Sequence, residues 1–254
     1  MTTRLELFAL PGLPMVQAND DLPTLIRAAL DRAGQTLQNR DVIVIAQKIV
    51  SKAEGRTVDL ADITPSAEAI ALAENVGKDP RIVHVVLSES TKVVRSRPNL
   101  MIMQHRLGFV MANAGVDQSN VAEPDGRHRA LLLPLDPDGS AARIRSALSP
   151  PGINIGVIIS DSFGRPWRRG TAGVAIGSAG LPSVIDLRGQ QDLFGRTLEV
   201  SIVGFADEIA AAASLLQGQA AEAQPVVVVR GLSWTAPDVP VADVIRPPEE
   251  DLFQ

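Results

Sequence analysis

The segment at residues 113–120, NAGVDQSN, places a carboxylate at Asp117 and an amide at Asn120, three positions apart. If this turn is helical, the two side chains share one face. Carboxylate and amide oxygens are ligands that a hard divalent cation prefers, and the small residues before them let backbone approach a ligand. A polar surface turn is the alternative, because Asp, Asn, Ser and Gly are common in turns.

A second acidic position follows an apolar strand in residues 156–170, GVIISDSFGRPWRRG. Ligands of α/β proteins collect beyond the carboxyl ends of strands, where Asp161 and Ser162 stand, and an Asp followed by a hydroxyl suits magnesium beside phosphates. Guanidinium groups match phosphate or carboxylate, and three lie within eight residues of Asp161: Arg165, Arg168 and Arg169. The alternative is a surface loop of paired charges, but Gly164 and Trp167 are unusual there and favour a site.

A third candidate is the segment at residues 47–55, QKIVSKAEG, which follows the apolar run DVIVIA. Lys48 and Lys52 are four positions apart, and lysines just past a strand end could hold polyphosphate. An ordinary exposed helix start explains the same residues equally well.

The elements that must position these residues alternate between strands and helices. We predict strands at residues 4–10, 41–46, 154–160 and 224–230, with a short strand near 131–133 and a hairpin at 100–105 and 108–112. We predict helices at 20–33, 65–76, 80–88 and 205–217, and one capped near Asp138. Residues 113–129 form a long polar loop, and a glycine-rich segment follows Gly170. Hairpins beside strand–helix alternation favour a mixed α/β fold over a purely parallel sheet.

Several classes of protein are excluded or disfavoured. The chain has neither a P-loop, nor a G-x-G-x-x-G fingerprint, nor a G-x-S-x-G elbow. Its three histidines, His84, His105 and His128, are far apart and match no metal motif. The net charge of -5 argues against nucleic-acid binding. The absence of cysteine excludes thiol chemistry and cysteine-ligated metals. We find no signal peptide and no membrane-spanning run, so a cytoplasmic location is expected.

Together these segments resemble the coenzyme F420-0:L-glutamate ligases, also called F420 gamma-glutamyl ligases, from about Leu5 to Leu232. Any one matching stretch is weak, but nine in order are specific: PGLP, VSKAEG, NAGVDQSN, LLLPLDPDGSA, ISDSFGRPWRRG, GVAIGSAG, DLFGR, ADEIAAAASLLQGQ and PVVVVRGL.

The resemblance implies a GTP-dependent ligase with Mg²⁺ or Mn²⁺, two ions per site, and K⁺ as a further candidate ion. Its substrates would be coenzyme F420-0, GTP and L-glutamate. GTP would phosphorylate the lactyl carboxylate of F420-0, and the glutamate amine would then displace phosphate from the acyl phosphate. Further γ-linked glutamates could follow. No nucleic acid or membrane partner is implied.

The resemblance also assigns roles to individual positions. Asp117 and Asp161 match the ligands of one metal, and Ser162 and Gln219 match positions at a second. With Arg165, the two aspartates are our candidate catalytic residues. The nucleotide-binding candidates are Leu10, Pro11, Gly12, Leu13, Gln47, Lys48, Lys52, Asn120, Gln217, Gly218, Gln219 and Ala220.

Three departures from the family pattern bear on these roles. Gln47-Lys48 replaces a pair of small hydroxyl residues expected from archaeal members, and Gln219 stands where some relatives have Glu. A nitroreductase-like extension of some actinobacterial members is not expected here. The family implies a two-subdomain mixed α/β fold and an intertwined homodimer, with the ligase domain at residues 1–232 and a loosely packed, Pro- and acid-rich extension at 233–254.

Two other functions remain open from the residues. One is a related metal-dependent amide ligase that uses another acid or nucleotide. The other is a non-catalytic flavin- or nucleotide-binding module, against which the pair of metal carboxylates argues.

Overall fold

The computed structural model describes residues 4–121, 123 and 125–252. Parts of three predicted segments lie outside the described residues: the start of the ligase domain at 1–3, Ala122 and Pro124 of the polar loop, and the end of the C-terminal extension at 253–254.

The elements follow one another as strands and helices of modest length. The strands are β1 (Glu6–Ala9), β2 (Val42–Ala46), β3 (Thr57–Asp59), β4 (Ser90–Arg97), β5 (Leu100–His105), β6 (Val110–Ala112), β7 (Arg129–Leu131), β8 (Gly156–Arg165), β9 (Arg168–Ala179), β10 (Ile185–Asp186), β11 (Ile202–Val203) and β12 (Val226–Arg230). The helices are α1 (Leu22–Arg32), α2 (Gln47–Ala53), α3 (Ala67–Val76), α4 (Pro80–Ser88), α5 (Pro137–Leu148) and α6 (Phe205–Gln217).

The largest sheet has the strand order β1-β12-β2-β8-β9. Only β2 and β8 run parallel, and the other neighbours are antiparallel. In the β2–β8 register Ala46 lies opposite Ser160, so β2 ends beside Ser160 while β8 continues. At this point Gln47 follows β2, and Asp161 follows Ser160 within β8. The sheet and helices together confirm the predicted mixed α/β class.

The central strands are buried on both faces, which explains their continuous runs of Val and Ile. Alternate side chains enter separate apolar clusters, as the two-residue period of a strand requires. Ile43 and Ile159 pack with residues of α1 and α5 on one face. Val44 and Ile158 pack with the alanines of α6 on the other.

A smaller unit packs beside this sheet. Helices α3 and α4 cover the sheet β4-β5-β6, and their shared core includes Val83, Val86, Met101 and Met103. The chain then returns through β7, which pairs with β3. An isolated bridge joins Asp117 to Leu131 in β7. This bridge holds Asp117 next to Lys48, which follows β2 of the large sheet.

The strand predicted at residues 154–160 extends further than expected. Strand β8 continues to Arg165 and turns through Pro166 and Trp167 into β9, which forms a long antiparallel hairpin with it. Strand β9 was not predicted, because it contains several glycines and Gly usually weakens a strand interior. In β9 the glycines allow helices to pack closely against the strand. A Cβ on Gly173 would lie 2.5 Å from the carbonyl oxygen of Ala210 in α6.

Substituting Gly177 with Ala should lower the free energy of unfolding by about 1–3 kcal/mol. An added Cβ would lie 2.5 Å from the carbonyl oxygen of Pro137, so α5 must move away from β9. Gly164→Ala is the matched control, because a Cβ added there would meet no heavy atom within 4 Å. Urea unfolding of both variants measures the difference; equal midpoints would contradict close packing of α5 on β9.

Three smaller expectations also differ from the structure. Helix α5 is capped by Asp136, whose side chain accepts the Gly139 N–H, while Asp138 accepts N–H groups of Ser178 and Val241. Strand β4 was not predicted, because its mostly exposed face leaves little apolar alternation. The condition that residues 117–120 form a helical turn is not met, because the Asp117 carboxylate accepts the Ser119 N–H in a tight local turn.

The C-terminal extension is packed more closely than expected. Val241 is fully buried, and the Trp234 ring lies 5.9 Å from the ring of Phe205. The apolar residues of this Pro-rich segment therefore cover α6 and β9. No helix in the described part of the chain is long and apolar enough to cross a bilayer.

Candidate functional site

A cavity of about 380 Å³ lies where β2 ends, beside residues 160–162 of β8. Helix α2, the end of α6 and the chain after it complete its walls. Eleven of the predicted site residues line it: Leu13, Gln47, Lys48, Lys52, Asn120, Asp161, Ser162, Gln217, Gly218, Gln219 and Ala220. Residues more than 200 positions apart thus meet in one cavity of the size that small-molecule sites have.

Helix α2 holds the turn that carries Asp117. The Lys48 ammonium lies 2.8 Å from Oδ2 of Asp117 and donates to the Ser119 hydroxyl at 2.6 Å. Burial alone would raise the pKa of Asp117, but hydrogen bonds from Lys48 and Ser119 outweigh it and lower the pKa. Asp117 is therefore ionised at neutral pH, with a cation already beside it.

Lys52, one helical turn after Lys48, makes a second contact between α2 and the turn at residues 117–120. Its ammonium donates to the Asn120 carbonyl oxygen at 2.7 Å. The Asn120 amide in turn donates to the Ala220 carbonyl at 3.3 Å, which joins the turn to the chain after α6. Burial, and then the charge of Lys48, lower the pKa of Lys52. Two neighbouring ammonium groups facing one cavity favour an anionic ligand.

The pKa of Asp161 is shifted in the opposite direction to that of Asp117. Burial, and to a smaller extent the negative charge of Asp117, raise the pKa of Asp161 to about 6, although the Ser162 N–H and the charge of Lys48 lower it in part. The electrostatic interaction between Asp117 and Asp161 indicates that the two carboxylates are close. The charge of Lys48 acts on both carboxylates, and a bound divalent ion would relieve the remaining repulsion.

Oxygen donors adjoin the two carboxylates. The Ser162 hydroxyl donates to Oε1 of Gln219 at 2.8 Å, so both side chains face the same space. Among the described residues no group of three or more His, Cys, Asp or Glu could hold a metal. The oxygen donors fit a hard ion that keeps water and takes phosphate oxygens as further ligands, as Mg²⁺ usually does.

Comparison with known proteins identifies the family. The family model described as F420-0:Gamma-glutamyl ligase matches residues 12–231. The chain belongs to the F420-0:gamma-glutamyl ligase family. A protein of Methanothermobacter thermautotrophicus named coenzyme F420:L-glutamate ligase is 47% identical over 98% of this chain and 99% of its own length. Proteins with the same name from Methanopyrus kandleri (44%, over 94% and 93%) and Halorubrum lacusprofundi (47%, over 89% and 87%) are also similar.

Five predicted residues do not line this cavity: Asp117, which contacts Lys48 in the cavity wall, and Leu10, Pro11, Gly12 and Arg165. Leu10 is fully buried in the core below it, where its N–H donates to Val226. Pro11 and Gly12 are exposed, and the Gly12 carbonyl accepts a hydrogen bond from Arg32. Arg165 is exposed at the end of the β8–β9 hairpin, four residues beyond Asp161, or roughly 13 Å along a strand. A nucleotide or substrate that reaches these residues must extend beyond the cavity.

Several residues of this ligase site were not selected from the sequence. Ser119 accepts a hydrogen bond from Lys48 and donates to Asp117 at 2.9 Å. Ser119 stands two residues after Asp117, and Asp side chains often accept a hydrogen bond from the residue two positions later. This spacing could have identified Ser119 from the sequence. The cavity lining at Met15, Ser214 and residues 221–225 carries no such signal, because these residues come together only through the fold.

Proposed function

We propose that this chain is a GTP-dependent ligase that adds L-glutamate to the lactyl carboxylate of coenzyme F420-0. The observation that carries the proposal is a cavity lined by Asp161, Lys48 and Lys52, with Asp117 in contact with Lys48 at 2.8 Å. Acidic and basic groups together suit a metal–triphosphate. The names of the relatives, coenzyme F420:L-glutamate ligase, support the choice of acceptor and amino acid.

The reaction that we propose has two steps. A carboxylate oxygen of F420-0 attacks the γ-phosphorus of GTP, forming an acyl phosphate and releasing GDP. The glutamate nitrogen then attacks the acyl carbon; the carbon–nitrogen bond forms, inorganic phosphate leaves and the nitrogen loses a proton. The γ-carboxylate of the attached glutamate could enter the same cycle, which would add further γ-linked glutamates.

The residues have separate tasks in this scheme. Lys48 and Lys52 offset the charge of the triphosphate, and Asn120 and residues 217–220 hold the nucleotide. Asp117 and Asp161 would hold one Mg²⁺ or Mn²⁺, with Ser162 and Gln219 beside a second; K⁺ remains a candidate further ion. Such metal ions would neutralise charge on the transferring phosphoryl group. We keep Arg165 as a catalytic candidate on the assumption that the β8–β9 hairpin reaches the acceptor.

We also propose that the ligase works as a homodimer. Large apolar side chains are exposed at the two protruding connections of the chain: Trp167, Leu193, Phe194 and Val200. Trp167 is 89% exposed at the tip of the β8–β9 hairpin, and Phe194 is 95% exposed in the connection from β10 to β11. Such exposure on a monomer typically marks a surface that a protein partner covers.

The proposal is tested by incubating the purified chain with F420-0, GTP, L-glutamate and either Mg²⁺ or Mn²⁺. Mass spectrometry should find F420 with one or more added glutamates, and GDP release should require both acceptor and glutamate. A panel of other amino acids, other nucleotides and other acids forms the control set. GDP release that requires a different acid or amino acid would reject the proposal in favour of another amide ligase, and no release with any of them would favour a binding module.

Changing Gln219 to Glu should strengthen binding of the second metal about tenfold or more, because a carboxylate is a stronger ligand than an amide. Titration with Mn²⁺ followed by electron paramagnetic resonance counts the ions and gives their affinities. Gln38→Glu adds the same charge at an exposed position outside the cavity and serves as control. Equal Mn²⁺ affinity in both variants would place Gln219 outside the metal shell.

A further inference from the structure

A second cavity of about 290 Å³ lies in the smaller unit, beside the turn that carries Asp117. Its floor is apolar and includes Val86 of α4 and Met101 of β5. Its polar wall contains Lys78, Asn113 and Asp117. The cavity therefore combines apolar residues with one cation, Lys78, and two carboxylates, Asp79 and Asp117, and its volume suits a ligand smaller than a nucleotide.

Lys78 is the cation of this cavity. It lies in the connection from α3 to α4, is half-buried, and donates to Oδ1 of Asn113 at 3.3 Å. Within the described ranges it makes no ion pair, since the adjacent Asp79 is held by Arg81 with an Nη2–Oδ2 distance of 2.6 Å. An ammonium group in this position has N–H donors left for the carboxylate of a ligand.

Asp117 separates the two cavities. It lines the second cavity, while its carboxylate contacts Lys48, which lines the first. A group bound next to Asp117 in the second cavity is therefore adjacent to the site proposed for phosphoryl transfer.

We propose that this second cavity binds the acceptor amino acid, L-glutamate, with a carboxylate on Lys78 and the amino group towards Asp117. The methylene groups of the ligand would lie over Val86 and Met101. This inference rests on the proposed function, because that function requires an amine to reach an acyl phosphate. It adds the position from which the amine arrives and names Lys78 as the residue that selects an acidic substrate.

The test uses the full chain with Lys78→Met, the rescue variant Lys78→Arg and the control Lys92→Met, which replaces an exposed lysine on β4. Steady-state kinetics should give a KM for L-glutamate at least about tenfold higher in Lys78→Met, since a hydrogen bond to a charged group contributes about 1.5–3 kcal/mol. The KM for GTP and the affinity for Mn²⁺ should not change. Lys78→Arg should recover most of the loss, and Lys92→Met should match the wild type.

Isothermal titration of L-glutamate into each protein, with GDP and Mg²⁺ present, separates this inference from the proposed function. Lys78-dependent binding without turnover would support the cavity assignment and reject the ligase reaction. Turnover with an unchanged KM for glutamate in Lys78→Met would support the ligase and overturn the assignment. Neither binding nor turnover in the wild type would overturn both. Circular dichroism checks that the variants are folded.

Discussion

Asp161→Asn is expected to abolish tight Mn²⁺ binding and to lower turnover by at least about 100-fold. Loss of groups that only orient metal ligands already costs about 10- to 100-fold in affinity or activity, and Asp161 would be a ligand itself. The raised pKa of about 6 means that burial and Asp117 disfavour the charged carboxylate. Removing that charge should therefore leave the melting temperature unchanged or raise it, while activity is lost.

Electron paramagnetic resonance of Mn²⁺, GDP release and thermal melting measure the three quantities on one preparation. Asp117→Asn should also lose turnover, but its melting temperature should fall because the contact with Lys48 is lost. Asp238→Asn, an exposed position, is the control. Unchanged turnover in both site variants would contradict the metal assignment, and unchanged Mn²⁺ binding would contradict it independently.

Glu89→Gln is expected to lower the free energy of unfolding by about 3 kcal/mol at pH 7, the lower end of the range for a broken buried ion pair. Glu89 is buried at the end of α4, where Oε2 lies 2.9 Å from Nη2 of Arg56 and 3.3 Å from Nε of Arg106. Nδ1 of His105 accepts the Leu107 N–H, which leaves Nε2 to carry the ring proton, 3.4 Å from Oε2 of Glu89. The variant would leave the two guanidinium groups without this charge.

The effect should depend on pH with a definite sign. Burial alone would raise the pKa of Glu89, but His105, Arg56 and Arg106 together lower it to about 2. Its stabilisation is therefore complete above the unfolded-state pKa near 4.5 and is lost as the pH falls towards 2. Urea unfolding at pH 7 and pH 3 should give a smaller difference between variant and wild type at pH 3. Glu199→Gln, which makes the same change at an exposed position, is the control. A difference that does not change with pH, or one that this control reproduces, would contradict this account.

Continuous apolar runs and clear caps made much of the fold predictable. Strand β2 and strand β12 consist almost entirely of Val and Ile, and α6 is rich in Ala, so their types and positions were expected. Strand β9 was missed because its glycines fit two helices rather than a pleated surface. That information comes from α5 and α6, which are distant in sequence, so no local pattern carries it.

The site was predictable to the extent that motifs mark it. Asp161 and Lys52 were assigned by resemblance, and the fold brings both to the cavity. Pro11, Gly12 and Arg165 belong to equally clear motifs but lie outside the cavity, because a motif gives sequence neighbours and not the direction of a side chain. Lys78 belongs to no motif, and it reaches the second cavity only because the connection between α3 and α4 packs beside Asp117.

Strand β2 passes into helix α2 without a connecting residue, since the strand ends at Ala46 and the helix begins at Gln47. One inserted or deleted residue at this junction would rotate the helix by about 100° relative to the sheet. Lys48 and Lys52 would then leave the cavity together, although neither had been replaced. We therefore expect evolution to keep the length of this junction fixed.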